Sequence, residues 1–254
     1  MDGKMEGQAA RVVLVTGGAR GLGEVIARTF HRAGYRVAIG DIAIDEASGV
    51  AADLSADGSS AMAFALDVTQ KTAFEDARDT MLARWGRIDA LVNNASTTKV
   101  VPVMDITPDQ FDLVMNVNLR SVFFGCQVFG AHFATGKTGR IVNIASLAGQ
   151  NGGSATGAHY AAAKGGVLTL TKVFARDLAA SGVTVNAISP GPLDLPIVHQ
   201  SVPAERLQQV IANIPAGRLG GPAYIADVAV MLAAENAFFA TGACWDINGG
   251  LFMR

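Results

Sequence analysis

The chain has 254 residues, 50% hydrophobic and 17% charged, with a formal net charge of −2. That length suits a single sizeable α/β domain, and the apolar content excludes a disordered chain. The weak charge, with no long basic run, argues against nucleic acid or an anionic membrane as partner, and no apolar run reaches the ~18 residues of a membrane helix.

Met1 to Ala10 is polar and glycine-bearing, without the apolar centre of a signal peptide. It reads as a flexible tail before a domain covering residues 11–254. Val12 to Val15 suits a strand buried on both faces of a parallel sheet. Thr16-Gly17-Gly18 breaks the run, and Leu22, Ile26, Ala27 and Phe30 resume it at helical spacing. Strand, glycine turn and helix aim backbone N–H groups and a helix N-terminus at a phosphate. Gly17 suits the tight turn, Gly21 leaves room for a pyrophosphate, and Gly23 lets helix and strand pack closely. Arg20 and Leu22 belong to the same turn.

Arg36 to Gly40 is the next strand, closed by Asp41 and followed by Ile42. A carboxylate there accepts the hydroxyls of an adenosine ribose and repels a 2′-phosphate, which points to NAD. Arg20 pulls toward NADP, because a guanidinium pairs with that phosphate. Asp45 to Ala56 predicts a helix, and Met62 to Leu66 a strand closed by Asp67-Val68. Asp67 either meets the adenine amino group or caps the next helix, and the two roles are compatible. Thr72 to Trp85 is a helix ended by Gly86. Ile88 to Val92 is a strand running into Asn93-Asn94-Ala95-Ser96, where side-chain amides fix the local backbone beside a cofactor.

Pro108 to Phe133 reads as one long helix, capped by Asp105 or Thr107. Asn118 interrupts its apolar face and marks either a functional residue or local back-bonding at a helix irregularity. Arg140 to Ala145 is a strand closing at Ser146, followed by a glycine-rich loop from Gly149 to Gly157. Tyr160 and Lys164 open a helix running to about Ala180. Val183 to Ser189 is a strand closed by Pro190-Gly191-Pro192. Leu193 to Gly221 reads as irregular with a short helix at Ala204 to Asn213, and residues 193–218, with Ile197, Val198 and His199, cover the substrate. A helix at Tyr224 to Ala234 and a strand at Ala243 to Ile247 complete the chain. This alternation predicts one Rossmann-like, doubly wound domain: a mainly parallel seven-stranded sheet with helices on both faces. Cys126 and Cys244 read as two buried free thiols without metal spacing, which fits the cytoplasm.

Tyr160 and Lys164 share a helix face. An ammonium beside a phenol favours the phenolate, making a usable proton donor and acceptor near neutral pH. Ser146, on the ligand-binding edge of the sheet, can hydrogen-bond a carbonyl or alkoxide.

Thr16-Gly17-x-x-x-Gly21-x-Gly23, Asn93-Asn94-Ala95, Asn118, Ser146, Tyr160-x-x-x-Lys164 and Pro190-Gly191 together resemble the short-chain dehydrogenase/reductase family over nearly all of the chain. The resemblance implies an NAD-dependent oxidoreductase for a secondary alcohol or ketone, with a tetrad of Asn118, Ser146, Tyr160 and Lys164. In it Tyr160 transfers the proton, Lys164 binds the nicotinamide ribose and lowers the tyrosine pKa, Ser146 orients the substrate oxygen, and Asn118 holds a water of a proton relay. It further implies that Pro190, Gly191 and Leu193 lie near the nicotinamide. A homotetramer, or a homodimer, is also implied, formed through the two long helices and the C-terminal segment. Three positions depart from the family pattern: Ser96 replaces a glycine, Leu195 a frequent threonine, and Asn248 the usual aspartate. Reduction of a 3-oxoacyl thioester with NADPH is the alternative chemistry. An NAD(H)-binding sensor without turnover is the alternative class, and the intact tetrad argues against it.

Overall fold

The computed structural model describes residues 10–153 and 157–254. The expected N-terminal tail, save Ala10, and the middle of the glycine-rich loop lie outside them.

The strands are β1 (Val12–Thr16), β2 (Arg36–Asp41), β3 (Ala61–Ala65), β4 (Ala90–Asn93), β5 (Gly139–Ile144), β6 (Val183–Pro190) and β7 (Cys244–Ile247). Among the described residues these seven form one sheet in the order β3-β2-β1-β4-β5-β6-β7, and every pairing is parallel. The expected "mainly parallel" sheet is therefore parallel throughout. The order reverses between β1 and β4, and such a switch point opens a crevice at the carboxyl ends of the strands.

The helices are α1 (Gly21–Arg32), α2 (Ile44–Leu54), α3 (Lys71–Trp85), α4 (Pro108–Met115), α5 (Ser121–Gly136), α6 (Ala148–Asn151), α7 (Ala158–Leu178), α8 (Pro196–Ser201), α9 (Ala204–Asn213) and α10 (Pro222–Ala233). The pleat divides β1 between two cores. Val13 and Val15 pack with Ile26 and Phe30 of α1, Val50 of α2 and Leu232 of α10. Val12 and Leu14 pack with Phe74 of α3, Phe129 and Phe133 of α5 and Val167 of α7. Burying each such side chain contributes roughly 1.5–3 kcal/mol, and both faces of the sheet are covered.

Three local expectations need correction. The helix expected from Pro108 to Phe133 is split, because Asn116–Arg120 forms a π-helical segment between α4 and α5. Asn118 Nδ2 donates to the Val114 carbonyl at 2.9 Å, and the Ser121 hydroxyl donates to that of Val117 at 2.6 Å. Side chains thus compete for the carbonyls that an unbroken helix would use. The stretch after Leu193 contains α8, started by Pro196 in its first turn, and Ala148–Asn151 turns once before the glycine-rich loop. Finally, Cys126 is buried and free, but Cys244 is free and only partly buried, its thiol 3.1 Å from Asp246 Oδ1.

Candidate active site

The turn after β1 is held from the side. Thr16 Oγ1 accepts the backbone N–H groups of Asn94 and Ala95 at 3.0 and 3.1 Å, and Asn94 Nδ2 donates to the carbonyls of Thr16 and Gly17, both at 3.0 Å. Gly17 has φ +65°, and a Cβ there would stand 2.7 Å from Ala95 Cα. Gly23 is tighter, since its Cβ would stand 1.9 Å from the Gly17 carbonyl oxygen. Gly21 opens α1 with nothing within 4 Å of a Cβ, which leaves open space on the backbone side. No side chain caps α1, so its first-turn N–H groups remain directed at a ligand. The turn thus leaves room and uncapped N–H groups for an anion.

At the tip of β2, Asp41 Oδ2 accepts from Ala19 N and Oδ1 from Ala43 N, both at 3.0 Å. The carboxylate therefore fixes the glycine turn against its own strand. Arg20 is exposed, with its guanidinium 3.9 Å from Glu46. Asp67 Oδ1 accepts from the backbone and hydroxyl of Thr69. It thus orders the approach to α3 but does not cap it, because the N-cap position is Gln70, whose side chain makes no capping bond.

Asn118 sits at full burial in the π-helical segment. Its Nδ2 donates to the carbonyls of Thr97 and Val114 at 2.7 and 2.9 Å, while its Oδ1 accepts from Thr97 N at 3.2 Å and from the Ser96 hydroxyl. Both readings of this residue meet here: it bonds back within its own helix and reaches toward the site. The Tyr160 phenol lines the cleft together with Ser146 and Ser96, and Ser146 Oγ accepts from Ala148 N at 3.1 Å. Lys164 is buried; its Nζ donates to the Ile144 carbonyl at 2.7 Å and lies 5.7 Å from the Tyr160 ring centre.

Burial pushes the Tyr160 phenol up, and the neighbouring Ser146 and Ser96 hydroxyls pull it part of the way down. Burial also pushes the Lys164 ammonium down, to about 8. Both charged forms lose hydration in the same apolar wall, and the ammonium is turned to a backbone carbonyl.

A cleft of about 690 Å³ runs along the carboxyl edge of the sheet. Of the residues picked from sequence, Gly17, Arg20, Leu22, Gly23, Asp41 and Ile42 line its first part. Asp67, Val68, Asn94, Ala95 and Ser96 follow, then Ser146, Tyr160, Lys164, Pro190, Gly191 and Leu193. Gly21 and Asn118 do not line it: Gly21 belongs to the turn, and Asn118 stands behind Ser96. Sequence reasoning missed Glu46, Thr97, Leu113, Val117 and Ile144, which also line it. Leu113 and Val117 lie one turn apart, a spacing that sequence alone cannot distinguish from a core stripe. Among the described residues no cluster of His, Cys, Asp and Glu can hold a metal ion, and no helix is long and apolar enough to cross a membrane.

A family model described as Enoyl-(Acyl carrier protein) reductase matches residues 17–252. The chain belongs to the short-chain dehydrogenase/reductase family. It is 40% identical to acetoacetyl-CoA reductase of Shinella zoogloeoides over 245 residues, covering 96% of this chain and 99% of that one. It is 35% identical to sorbitol dehydrogenase of Cereibacter sphaeroides over 261 residues, covering 98% and 99%. The crystal structure of a short chain dehydrogenase from Bacillus anthracis superposes with a TM-score of 0.87 at 29% identity, covering 96% of this chain and 97% of that one. The protein is thus an NAD(P)-dependent oxidoreductase.

Two departures from the family pattern have physical consequences in this short-chain dehydrogenase/reductase. Asn248 Nδ2 donates to the Phe252 carbonyl at 3.0 Å, a bond that a carboxylate could not donate, while its Oδ1 accepts from Gly250 N. Leu195 packs against the core below α8, and next to it Asp194 Oδ1 holds exposed His199 at 2.6 Å. His199 is therefore a surface residue paired within its own loop.

Proposed function

We propose that this enzyme interconverts a secondary alcohol and a ketone with NAD, Tyr160 being the proton donor and acceptor. The observation that carries the reading is the Tyr160 phenol in one cleft with Ser146, with Lys164 one turn along the same helix. When bound, the nicotinamide accepts or supplies the hydride. The Ser146 hydroxyl orients the substrate oxygen and stabilises charge developing on it. Tyr160 takes the proton of an alcohol hydroxyl, or returns one to a carbonyl oxygen in the other direction. Lys164, which also lines the cleft, would hold the nicotinamide ribose.

Two acids support NAD over NADP. Asp41 lines the cleft beside the glycine turn, and Glu46, also in the lining, lies 3.9 Å from the Arg20 guanidinium and partly offsets its pull on a 2′-phosphate. The test is absorbance at the reduced nicotinamide band with NAD and with NADP against a panel of secondary alcohols and ketones. Turnover is expected with NAD, and Asp41→Ala is expected to move the preference toward NADP. Equal relative affinities for the two cofactors in parent and variant would remove Asp41 from that choice. A 3-oxoacyl thioester is the second substrate class, favoured by the 40% identity to an acetoacetyl-CoA reductase, and it belongs in the same panel.

A homotetramer, or a homodimer, fits the apolar side chains left exposed on α5 and α7, Phe123 and Val173, and near the C-terminus, Phe238, Phe239 and Met253. Sedimentation at micromolar concentration is expected to show the assembly, and a monomer there would refute it.

A further inference from the structure

We propose that Gln150 positions the Ser146 hydroxyl, by tying the short helix that follows Ser146 to strands β6 and β7. The inference rests on the reading of Ser146 as the group that orients the substrate oxygen.

Ser146 Oγ accepts at 3.1 Å from Ala148 N, the first N–H of α6. One side of the hydroxyl is thereby tied to backbone, and its proton stays available to a substrate oxygen. The aim of that proton depends on the placement of α6. Four residues make a single turn, well short of the length at which a helix holds itself. α6 must therefore be held from outside, and it is held on two sides. Gly149 lies against the backbone of α7, where a Cβ would stand 2.5 Å from the Lys164 carbonyl carbon and 2.6 Å from Gly165 N. On the other side Gln150 reaches across to β6 and β7.

Donor chemistry fixes how the Gln150 amide lies. A carboxylate only accepts, so Nε2 faces Asp246 and donates to Oδ1 at 2.6 Å. Oε1 is left to accept from the Ser189 hydroxyl at 3.0 Å. Ser189 is fully buried in β6, next to Pro190, whose carbonyl accepts from Leu147 N at 2.9 Å. Asp246 in β7 is held in turn by the last residue of the chain. Arg254 Nε and Nη2 donate to its two oxygens, both at 2.8 Å. Bonds to a charged acceptor are stronger than neutral ones, so Asp246 is a firm anchor for the amide. Gln150, Ser189 and Asp246 do not line the cleft. Gln150 therefore acts through Ser146, as a positioning residue.

Gln150→Met keeps the length of the side chain and removes both bonds. It is expected to lower kcat on the parent's best substrate by roughly 10–100-fold, the scale of a reacting group displaced by up to about 1 Å. KM for the nicotinamide cofactor is expected to stay near that of the parent. Repeated in Ser146→Ala, the same substitution is expected to cost nothing further, because the hydroxyl it would misplace is gone. Ser189→Ala removes the tie from the β6 end alone. It should show the same pattern with a smaller loss, and it serves if Gln150→Met does not fold. Parent-like kcat in the folded variants, or an equal fractional loss with and without the Ser146 hydroxyl, overturns the proposal and leaves Gln150 a tie of general stability. Parent-like turnover by Ser146→Ala is a different result: it overturns the reading of Ser146 itself, and the proposal with it.

Discussion

Tyr160→Phe is expected to lower turnover by about 10²–10⁴-fold while leaving the fold and nucleotide affinity near those of the parent. The reason is local. Phenylalanine keeps the ring that lines the cleft and faces the Lys164 ammonium at 5.7 Å, and it removes only the hydroxyl. Ser96 keeps its bond to Asn118 and Ser146 its bond from Ala148 N, so no buried hydroxyl loses all its partners. The loss should fall on kcat, since the missing proton transfer matters only as the substrate oxygen changes charge. Initial rates for the parent's best substrate, beside thermal melts of both proteins, make the check. Parent-like turnover in a folded variant would take proton transfer away from Tyr160.

Gly23→Ala has the larger expected effect on the fold. The new Cβ would stand 1.9 Å from the Gly17 oxygen, 2.5 Å from Asn94 Nδ2 and 2.8 Å from Gly17 C. Two of these atoms are backbone and cannot turn aside, and the third holds two bonds of the turn. Overpacking of this kind costs about 1–3 kcal/mol, which lowers Tm by roughly 2–4 °C per kcal/mol in a domain of this size. The displaced turn should also cease to bind dinucleotide, so added NAD would no longer give the rise in Tm expected for the parent. A variant with unchanged Tm and an unchanged response to NAD would show that close packing at Gly23 is dispensable.

The elements of this fold were legible wherever one physical signal dominated. Val12 to Val15 announced a doubly buried strand because both faces of the sheet are covered, and Gly86, found with φ +72°, ended its helix as expected. The site residues were legible because they fall at strand ends and one helix turn apart, places a sequence pattern can fix. What stayed hidden depends on three-dimensional bonding. The π-helical segment arises from Asn118 and Ser121 taking backbone carbonyls, and apolar spacing alone gives no hint of it. The setting of Lys164 was hidden too, because the spacing of two residues says nothing about burial or about the Ile144 carbonyl that takes the ammonium. Ser96 was visible only as a departure from a family glycine, and its partner Asn118 is distant in sequence.

Asn94 and Ser96 are separated by a single residue, yet one grips the glycine turn and the other the Asn118 amide. The nucleotide end and the proton end of the cleft therefore share one short piece of backbone, with no hinge between them. Alignment of the two ends is thus a property of the folded chain itself, fixed before any substrate arrives.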